Sequence, residues 1–502
     1  MDTIAVLDFG GQYCHLISRR VREHGVYATV LPPDSDLSTI KDLKGIILSG
    51  GSASVQEPSS PTCKKDIFSL SVPVLGICYG HQLIAHLLGG KVIKGTTGEY
   101  GTCGLTIEQT GKIQAGLAPK EPVWMNHRDI VQELPPDYII TAKTAHSPIA
   151  AFECPEKNIF GVQYHPEVTH TKNGQVIIKN FLTICKAKNE WTMTSLAEDI
   201  LAETHATIGK KKAIIGLSGG IDSSTAAILL SQTLGEQLVA VYVDTGLMRL
   251  GETELISKTF SEYPFKLHVI DAKDRFFHAL AGISEPEQKR KAIGKTFIEV
   301  FDEIAKKEGA KILIQGTIYS DRIESGITKH SSNIKSHHNV GGLPSQMRLF
   351  VYEPLRNLYK DEVRALAKTI GLPDTLINRH VFPGPGNGVR VLGEVTPEKA
   401  AIVQKATAII EEEIQRENIP VWMAFAVLLP VQTVGIQGDS RTYKYPIVIR
   451  IIESQDAMTA NFARIPYDVL EKMSNRITNE IEEVNRVVYD ISNKPPATME
   501  WE

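Results

Sequence analysis

The sequence lacks the features of exported, membrane-spanning and zinc-binding proteins. No apolar run approaches the ~18 residues that a bilayer span needs, and Met1-Asp2-Thr3 does not begin a secretory signal. The six cysteines are scattered, with no Cys-x-x-Cys pair and no spacing typical of zinc ligands. These absences predict a protein of a reducing, cytoplasmic compartment with no membrane partner.

An excess of basic charge is also missing. The formal net charge of −4 at pH 7 leaves no general basic surface, which argues against a protein that modifies tRNA, and we expect no nucleic-acid partner. The hydrophobic content of 42% and the charged content of 22% are ordinary for globular proteins. A length of 502 residues predicts about three domains.

The most informative stretch is 218–224, which reads Ser-Gly-Gly-Ile-Asp-Ser-Ser. It follows a β-branched apolar run and precedes an Ala- and Leu-rich run, so a strand, a tight turn and a helix are predicted. The glycines let the backbone approach a ligand, and the helix start offers free amides to an anion. The Walker pattern is absent. An ordinary turn capped by serines is the alternative to a phosphate-binding loop.

This stretch resembles the pyrophosphate loop of the ATP pyrophosphatase family, Ser-Gly-Gly-x-Asp-Ser. The resemblance implies that ATP is split between its α- and β-phosphates, with Mg²⁺ neutralising charge, so that a substrate oxygen is adenylylated. Thr245 stands where the family usually has asparagine. The implied ATP and pyrophosphate contacts are Ser218, Gly219, Gly220, Ile221, Asp222, Ser223, Ser224, Val243, Asp244, Gly316 and Lys335, with Asp222 also as a Mg²⁺ contact.

A second motif centres on Cys78, in the sequence Gly-Ile-Cys-Tyr-Gly-His-Gln. An apolar run ends just before it and a helix is predicted just after it, which is the arrangement of a nucleophile elbow. A helix N-terminus and a histidine partner would supply a thiolate. His165 and Glu167, in Tyr-His-Pro-Glu, offer a base and a group that orients it. On its own, Cys78 could equally be a buried structural thiol.

Together these residues resemble the class I glutamine amidotransferases, whose triad is Cys-His-Glu in this order. The resemblance covers about residues 1–185 and implies that Cys78 attacks the side-chain amide of glutamine and releases ammonia. The implied oxyanion hole is formed by the amides of Gly51 and Tyr79, and the implied glutamine contacts are Gln82, His127 and Asp129. Three residues depart from the family pattern: Ser52, Asn126 and Arg128. His127 and Asp129 could also be ordinary surface residues.

Short apolar runs that alternate with helical stretches predict an α/β fold. The predicted strands are 3–7, 45–48 and 72–75 in a first sheet, and 213–217, 238–243, 266–270 and 311–315 in a second. After residue 379 the composition changes, and the expected elements are helices at 397–417 and 467–485 with a strand at 443–452. We predict two open, mostly parallel-sheet α/β domains at 1–188 and 189–378, followed by a smaller α+β domain at 379–502.

The whole chain resembles the glutamine-hydrolysing GMP synthase family, which joins the two activities. The further marks are the tract that begins at Lys335, which we interpret as a lid, the Phe-Pro-Gly-Pro-Gly hinge at 382–386 and the terminal Pro-Pro-Ala-Thr-x-Glu-Trp-Glu. The resemblance implies XMP, ATP and L-glutamine as substrates and a homodimer formed through the C-terminal domain. The implied XMP contacts are Arg290, Arg486, Lys494, Met499 and Glu500. Arg290 could instead be a helix-surface charge.

Three other functions compete with this interpretation. Another glutamine-dependent ATP pyrophosphatase, such as NAD or asparagine synthetase, would pair the loop with a different glutaminase. An enzyme that adenylylates an RNA base would need a basic face, aromatic platforms or a thiol-donating cysteine pair. A regulatory protein with a dead site is disfavoured because Cys78, His165, Glu167 and Asp222 are all present.

Overall fold

The computed structural model describes residues 1–319, 321, 349–454 and 459–502. These residues form two compact units, Met1–Leu196 and Ala197–Glu502. The division falls inside the helix Met193–Ile208. Within the described ranges, no helix combines the length and the apolar character needed to cross a membrane.

The first unit is built on a nine-stranded mixed sheet. The strands in the order β2-β1-β3-β4-β9 pair in parallel, and β9-β8-β7-β5-β6 continue the sheet in antiparallel pairs. The strands are β1 (Thr3–Leu7), β2 (Tyr27–Leu31), β3 (Leu43–Leu48), β4 (Val74–Ile77), β5 (Lys91–Ile107), β6 (Lys120–Glu133), β7 (Ile139–Lys143), β8 (Ala151–Cys154) and β9 (Ile159–Val162). The helices are α1 (Cys14–Glu23), α2 (Tyr79–Leu87) and α3 (Gly174–Ile184). Strands β1, β4 and β9 are buried along their whole length, as expected where helices cover both faces.

The second unit begins with a five-stranded sheet in the order β12-β11-β10-β13-β14, and every pair is parallel. Its strands are β10 (Ala213–Gly216), β11 (Leu238–Asp244), β12 (Lys266–Asp271), β13 (Ile312–Ile314) and β14 (Phe350–Tyr352). Helix α4 (Met193–Ile208) enters this unit from the first, and the helices that lie wholly within it here are α5 (Ile221–Leu234), α6 (Glu252–Phe260), α7 (Lys273–Leu280), α8 (Pro286–Glu308), α9 (Lys360–Thr369) and α10 (Asp374–Ile377). Chain order reverses between β10 and β13, so the crevice between their carboxyl ends is where a ligand is expected.

The C-terminal part is a smaller α+β layer around the long strand β17. Its elements are α11 (Pro397–Arg416), β15 (Met423–Leu428), β16 (Thr433–Gln437), β17 (Ser440–Glu453), β18 (Asn461–Phe462), α12 (Tyr467–Glu480) and β19 (Val484–Tyr489). Thr396 caps α11 by accepting a hydrogen bond from the Lys399 amide at 3.3 Å, and Pro397 occupies the first turn. With the two sheets before it, this layer confirms the predicted fold class.

The predicted helix 467–485 is too long. It ends at Glu480, Ile481 is already extended with φ −121° and ψ 101°, and Val484 begins β19. Val484 continues the apolar stripe of the helix in sequence, but the β-branched run after it gains a parallel backbone partner in β17. Sheet pairing therefore overrides the helical pattern at this point.

One hydrophobic core runs through the second unit across the predicted boundary at residue 379. It joins Val241 of β11 and Phe276 of α7 to Ile410 of α11 and Met473 of α12. The three-domain division remains a prediction, because the structure groups residues 197–502 as one compact unit.

Candidate active site

Cys78 lies on a sharp turn between β4 and α2. Its backbone has φ 53° and ψ −105°, a conformation that side-chain-bearing residues rarely adopt. The Cys78 amide donates to the Val162 carbonyl at 2.9 Å, which ties the turn to β9. A Cβ atom on Gly76 would collide with the Gly80 backbone, so the residues that flank the turn pack too closely for side chains. The buried Cys78 thiol is thereby fixed at a strained position.

His165 lies beside this turn and is held by Glu167. Its Nδ1 is 2.7 Å from Glu167 Oε1, and both side chains are buried. Its Nε2 has no hydrogen-bond partner among the described residues. Burial opposes the charged imidazole, but the charges of Glu167 and Cys78 outweigh it and raise the pKa of His165 well above its ordinary value. His165 is thus oriented by one ring nitrogen while the other stays available for proton transfer.

Gly50 shows how closely His165 and Cys78 approach each other. A Cβ atom added to Gly50 would lie 3.2 Å from His165 Cε1 and 3.7 Å from Cys78 Cβ. Both side chains therefore border the same small space. The structure brings the predicted Cys78, His165 and Glu167 into one cluster, in which His165 binds Glu167 and the Cys78 thiol donates to the Asn126 carbonyl at 3.8 Å.

The 49–51 loop packs Gly51 against the side chain of Tyr79, and the oxyanion hole formed by their amides remains a prediction. A Cβ on Gly51 would lie 2.7 Å from the Phe9 carbonyl oxygen and 3.2 Å from Tyr79 Cγ, so only glycine fits there. Ser49 Oγ accepts from the Phe9 amide at 3.0 Å and donates to the Gly50 carbonyl at 2.9 Å. The Tyr79 amide belongs to the first turn of α2, where amides have no partner within the helix. Ser52, one of the departures from the family pattern, is exposed.

The predicted glutamine contacts Gln82 and His127 are buried and form a polar group around the backbone carbonyl of the half-buried Asp129, whose carboxylate accepts a hydrogen bond from Ser54 Oγ. Gln82 Nε2 donates to the Asp129 carbonyl at 2.8 Å and to Gln163 Oε1 at 3.1 Å. His127 Nδ1 lies 3.0 Å from the Asp129 carbonyl oxygen, and its Nε2 lies 3.2 Å from Glu99 Oε2. The contacts of these three residues with glutamine remain a prediction.

Glu99 and Gln163 belong to this polar group and are missing from the sequence-based prediction. Glu99 pairs directly with His127 in the β5–β6 register. The sequence analysis misses Glu99 because it predicts neither β5 nor β6. Without the hairpin, nothing in the sequence places Glu99 beside His127. In β6, side chains alternate between faces: His127 is buried, while Asn126 and Arg128, both departures from the family pattern, are exposed.

The 218–224 loop connects β10 to α5. Gly219 has φ +73°, which favours glycine, and Gly220 caps the helix with an extended backbone. Ser223 Oγ accepts from the Ser218 amide at 3.3 Å and lies 3.1 Å from Ser218 Oγ, while Ser224 Oγ donates to the Gly220 carbonyl at 2.8 Å. Ile221 and Asp222 complete the first turn. The loop therefore presents a helix N-terminus at the carboxyl end of the central strand.

Two further predicted segments lie at the same edge of the sheet. A Cβ on Gly316, just after β13, would lie 3.0 Å from the Ser223 amide nitrogen, so this loop packs on the start of α5. Val243 and Asp244 end β11, and Asp244 Oδ2 accepts from Thr253 Oγ1 at 2.7 Å. Thr245, where the family has asparagine, closes the turn by accepting from the Leu247 amide at 3.2 Å.

Asp222 has one carboxylate oxygen in an ion pair and one without a partner. Oδ2 lies 2.6 Å from Lys360 Nζ, and the buried Oδ1 has no hydrogen-bond partner among the described residues. A hard divalent cation prefers such an oxygen. The described ranges contain no group of three or more His, Cys, Asp or Glu side chains that could hold a metal by themselves. Lys335 and the rest of the predicted lid lie outside the described residues.

The predicted XMP contacts are distributed over the tail and its surroundings. Arg290 donates to the Glu502 carbonyl. Both Glu500 oxygens accept from Arg390, at 3.1 and 2.9 Å. Met499 packs against a hydrophobic cluster around Phe425. The remaining two residues lie elsewhere on the C-terminal layer: Lys494 exchanges backbone hydrogen bonds with Ala460, and the exposed Arg486 donates to the Val434 carbonyl at 3.4 Å.

Three fully buried cations hold this tail, and the sequence analysis does not identify them. Lys289 forms an ion pair with Glu502, Arg390 binds Glu500, and Arg450 lies 3.2 Å from Asp490 and donates to the carbonyls of Ser492 and Thr498. Each cation is far from its partner in the sequence, and the sequence pattern therefore cannot predict these ion pairs.

Comparison with known proteins covers the whole chain. Residues 5–185 match the family model of class-I glutamine amidotransferases, 208–383 match the model described as thiamine biosynthesis protein (ThiI), and 410–501 match the GMP synthase C terminal domain. The chain is 49% identical over 510 residues to the glutamine-hydrolyzing GMP synthase of Caldanaerobacter subterraneus subsp. tengcongensis, covering 100% of this chain and 99% of that protein.

Two further relatives carry the same name. The protein of Clostridium perfringens is 50% identical over 508 residues, with 100% of both chains covered. That of Bacillus pumilus is 49% identical over 509 residues, covering 100% of this chain and 99% of the relative. Identity of this level over the full length shows that the chain belongs to the family of glutamine-hydrolysing GMP synthases.

Proposed function

We propose that this chain makes GMP from XMP, ATP and glutamine, releasing AMP, pyrophosphate and glutamate. The observation that carries the proposal is the strained Cys78 beside a His165–Glu167 pair, in a chain whose second unit presents a pyrophosphate-type loop at the switch point of a parallel sheet. A glutaminase and an ATP-binding site in one chain fit the amination of an adenylylated acceptor. Full-length relatives favour XMP as that acceptor over the other glutamine-dependent pyrophosphatases.

In the first unit, Cys78 Sγ attacks the carbonyl carbon of the glutamine side chain. The amides of Gly51 and Tyr79 stabilise the oxyanion. His165 Nε2 gives a proton to the departing ammonia and then takes one from the water that hydrolyses the thioester, which releases glutamate. Glu167 keeps the imidazole in one orientation through Nδ1. Gln82, His127 and Asp129 shape the glutamine pocket.

In the second unit, the amides and hydroxyls of residues 218–224 hold the pyrophosphate of ATP, assisted by Gly316, Val243 and Asp244. The xanthine C2 oxygen attacks the α-phosphorus, pyrophosphate leaves, and ammonia displaces AMP from the adenyl-XMP intermediate. Mg²⁺ neutralises phosphate charge when bound. Asp222 fits this ion through its Oδ1, which has no hydrogen-bond partner among the described residues. Lys335 is proposed to meet phosphate charge as well.

XMP is proposed to bind through the cations Arg290, Arg486 and Lys494 and through Met499 and Glu500. Cations suit the XMP phosphate, and a carboxylate suits the N–H groups of the base. Arg390 supports this role of Glu500 because a bidentate guanidinium fixes the plane of the carboxylate. Arg290 is already held near the tail by the Glu502 carbonyl.

A homodimer through the C-terminal part is proposed from its exposed apolar surface. Val434 and Ile436 on β16 are 50% and 78% exposed, and Tyr443, which pairs with Val434 across the hairpin, is 58% exposed. Large apolar side chains grouped on one strand pair are typical of a covered face. Sedimentation of an Ile436→Asp variant tests this, because a monomer at concentrations where the parent is a dimer is the expected result.

The test of the main proposal is conversion of XMP to GMP with ATP and Mg²⁺, supplied with either glutamine or ammonium. The parent protein should use both nitrogen sources, whereas Cys78→Ala should use ammonium alone. Formation of AMP and pyrophosphate only with an acceptor other than XMP would retain the pyrophosphatase and refute the GMP synthase assignment. The cytoplasmic location remains a prediction.

A further inference from the structure

A buried ion pair lies directly behind the pyrophosphate loop. Glu252, the first residue of α6, is only 2% exposed, and its two carboxylate oxygens are bound by the two terminal nitrogens of Arg379, one of them at 2.7 Å. Arg379 Nη1 also donates to the Gly219 carbonyl at 3.4 Å. A Cβ on Gly219 would overlap the Glu252 carboxylate, so the pair packs against the loop at its left-handed residue.

The neighbours of this pair fix it in place. Arg249 Nη2 donates to the His380 carbonyl at 2.7 Å, which holds the backbone next to Arg379. Thr253, the residue after Glu252, donates to Asp244 Oδ2 at 2.7 Å. The first turn of α6 therefore contacts the loop after β10 through Glu252 and the end of β11 through Thr253.

The position of Glu252 creates an electrostatic problem that Arg379 solves. A buried carboxylate behind an anion-binding loop would repel the pyrophosphate that the loop is proposed to hold. The Arg379 guanidinium binds both carboxylate oxygens of Glu252 in a fork, so its positive charge offsets the carboxylate charge at that position. Its additional contact with the Gly219 carbonyl ties the guanidinium to the loop at its left-handed residue.

We propose that Arg379 and Glu252 are a positioning pair for ATP: together they fix Gly219, and Arg379 masks the Glu252 charge from the pyrophosphate group. The inference rests on the proposed function of the loop. Neither side chain is assigned to the reacting atoms, because both act through the backbone of Gly219. The pair joins the start of the third predicted domain to the loop, and the sequence gives no sign of it across a separation of 160 residues.

The test is a double-mutant cycle with Arg379→Met, Glu252→Gln and the double variant, each assayed for GMP synthesis with ammonium. Arg379→Met should raise the KM for ATP by ~10- to 100-fold, because it leaves a buried charge without a partner. The KM for XMP should stay within about two-fold. The double variant, which carries no charge at either position, should return the KM for ATP to within about three-fold of the parent.

Binding of inorganic pyrophosphate with Mg²⁺, measured by calorimetry, makes the two proposals separable. Parent protein that binds pyrophosphate but makes no GMP would refute the proposed function and leave the pair intact. Parent protein that makes GMP, beside an Arg379→Met variant with unchanged pyrophosphate affinity and ATP KM, would refute the pair. If the KM values for ATP and XMP rise equally and the double variant does not restore them, the pair has only a structural role, and the proposal of a positioning pair is also refuted.

Two variants guard against misfolding and surface effects. Arg379→Lys keeps the charge but loses the fork, and an ATP KM between those of the parent and Arg379→Met is expected. Arg275 forms a similar fork with Glu303, at 2.9 and 3.0 Å, on the exposed surface of the same unit. Arg275→Met should leave both KM values and the pyrophosphate affinity unchanged. A change as large as that of Arg379→Met would contradict a local role for the buried pair.

Discussion

The strain at Cys78 has a measurable cost. Replacing Cys78 by alanine or by glycine removes the thiol in both cases, but only glycine adopts φ 53° and ψ −105° without penalty. A side-chain-bearing residue in a sparsely populated region costs about 1–3 kcal/mol. Against this gain, glycine lowers stability by about 0.5–1 kcal/mol relative to alanine, because its unfolded chain has more conformational entropy. Cys78→Gly should therefore be more stable than Cys78→Ala by roughly 1 kcal/mol.

Differential scanning calorimetry of the full chain measures this difference. A change of 1 kcal/mol corresponds to about 2–4 °C in the transition of a unit of this size, so the glycine variant should unfold that much later than the alanine variant. Both variants should lose glutamine-dependent GMP synthesis and keep the ammonium-dependent reaction. The two replacements can then be compared without any difference in glutaminase activity.

Cys154 provides the matched control. It is a buried thiol at the end of β8, where an extended backbone suits any residue. There the order should reverse, because glycine in a strand is less favourable than alanine. If Cys78→Ala equals or exceeds Cys78→Gly in stability while the Cys154 pair behaves as expected, the turn is not strained and the reasoning fails.

Three further predictions concern Gly316, Glu167 and Glu308. Gly316→Ala should raise the KM for ATP several-fold with little loss of glutaminase activity, since its Cβ would press on the Ser223 amide; steady-state kinetics with ammonium checks this. Glu167→Gln should lower the pKa of His165, so the alkaline limb of the glutaminase pH–rate profile should move to lower pH. Lys266, His268 and Lys212 lower the pKa of Glu308 from 4.5 to about 2, against the effect of burial. The contribution of Glu308 to the free energy of unfolding is therefore present above pH 4.5 and is lost as the pH falls towards 2. In an acid titration, Glu308→Gln should lose less stability than the parent protein over that range of pH.

Local sequence explains the parts of the fold and site that depend on neighbouring residues. The elbow at Cys78 and the loop at 218–224 are predictable because an apolar strand, a glycine-containing turn and a helix follow one another without a gap. The predicted bounds of strand β1 agree with those in the structure, and the bounds of the other predicted strands differ by a few residues at their ends. Buried parallel strands give the clearest signal because both faces must be apolar.

The remaining features depend on partners that are distant in sequence. The β5–β6 hairpin carries glycines, charges and exposed residues, so Glu99 shows no relation to His127 before the register is known. The position of Arg290 in the sequence is compatible with a charge on a helix surface. Its hydrogen bond with Glu502, seen in the structure, places it beside the C-terminal tail. Helix α12 ends early because β17 offers the following residues a backbone partner. Pairing and ion-pair partners of this kind are set by tertiary structure, and no local pattern encodes them.

The strand order of the second unit has a consequence during synthesis of the protein. The pyrophosphate loop follows β10, yet Lys360 and Arg379, which contact Asp222 and Gly219, are made 138 and 160 residues later. Contacts over such separations form late, after the intervening chain has been ordered. We therefore expect that a nascent chain does not cleave ATP when only its Ser-Gly-Gly-Ile-Asp-Ser-Ser loop has been synthesised. Cleavage of ATP should begin after the residues around Arg379 have left the ribosome and packed against the loop.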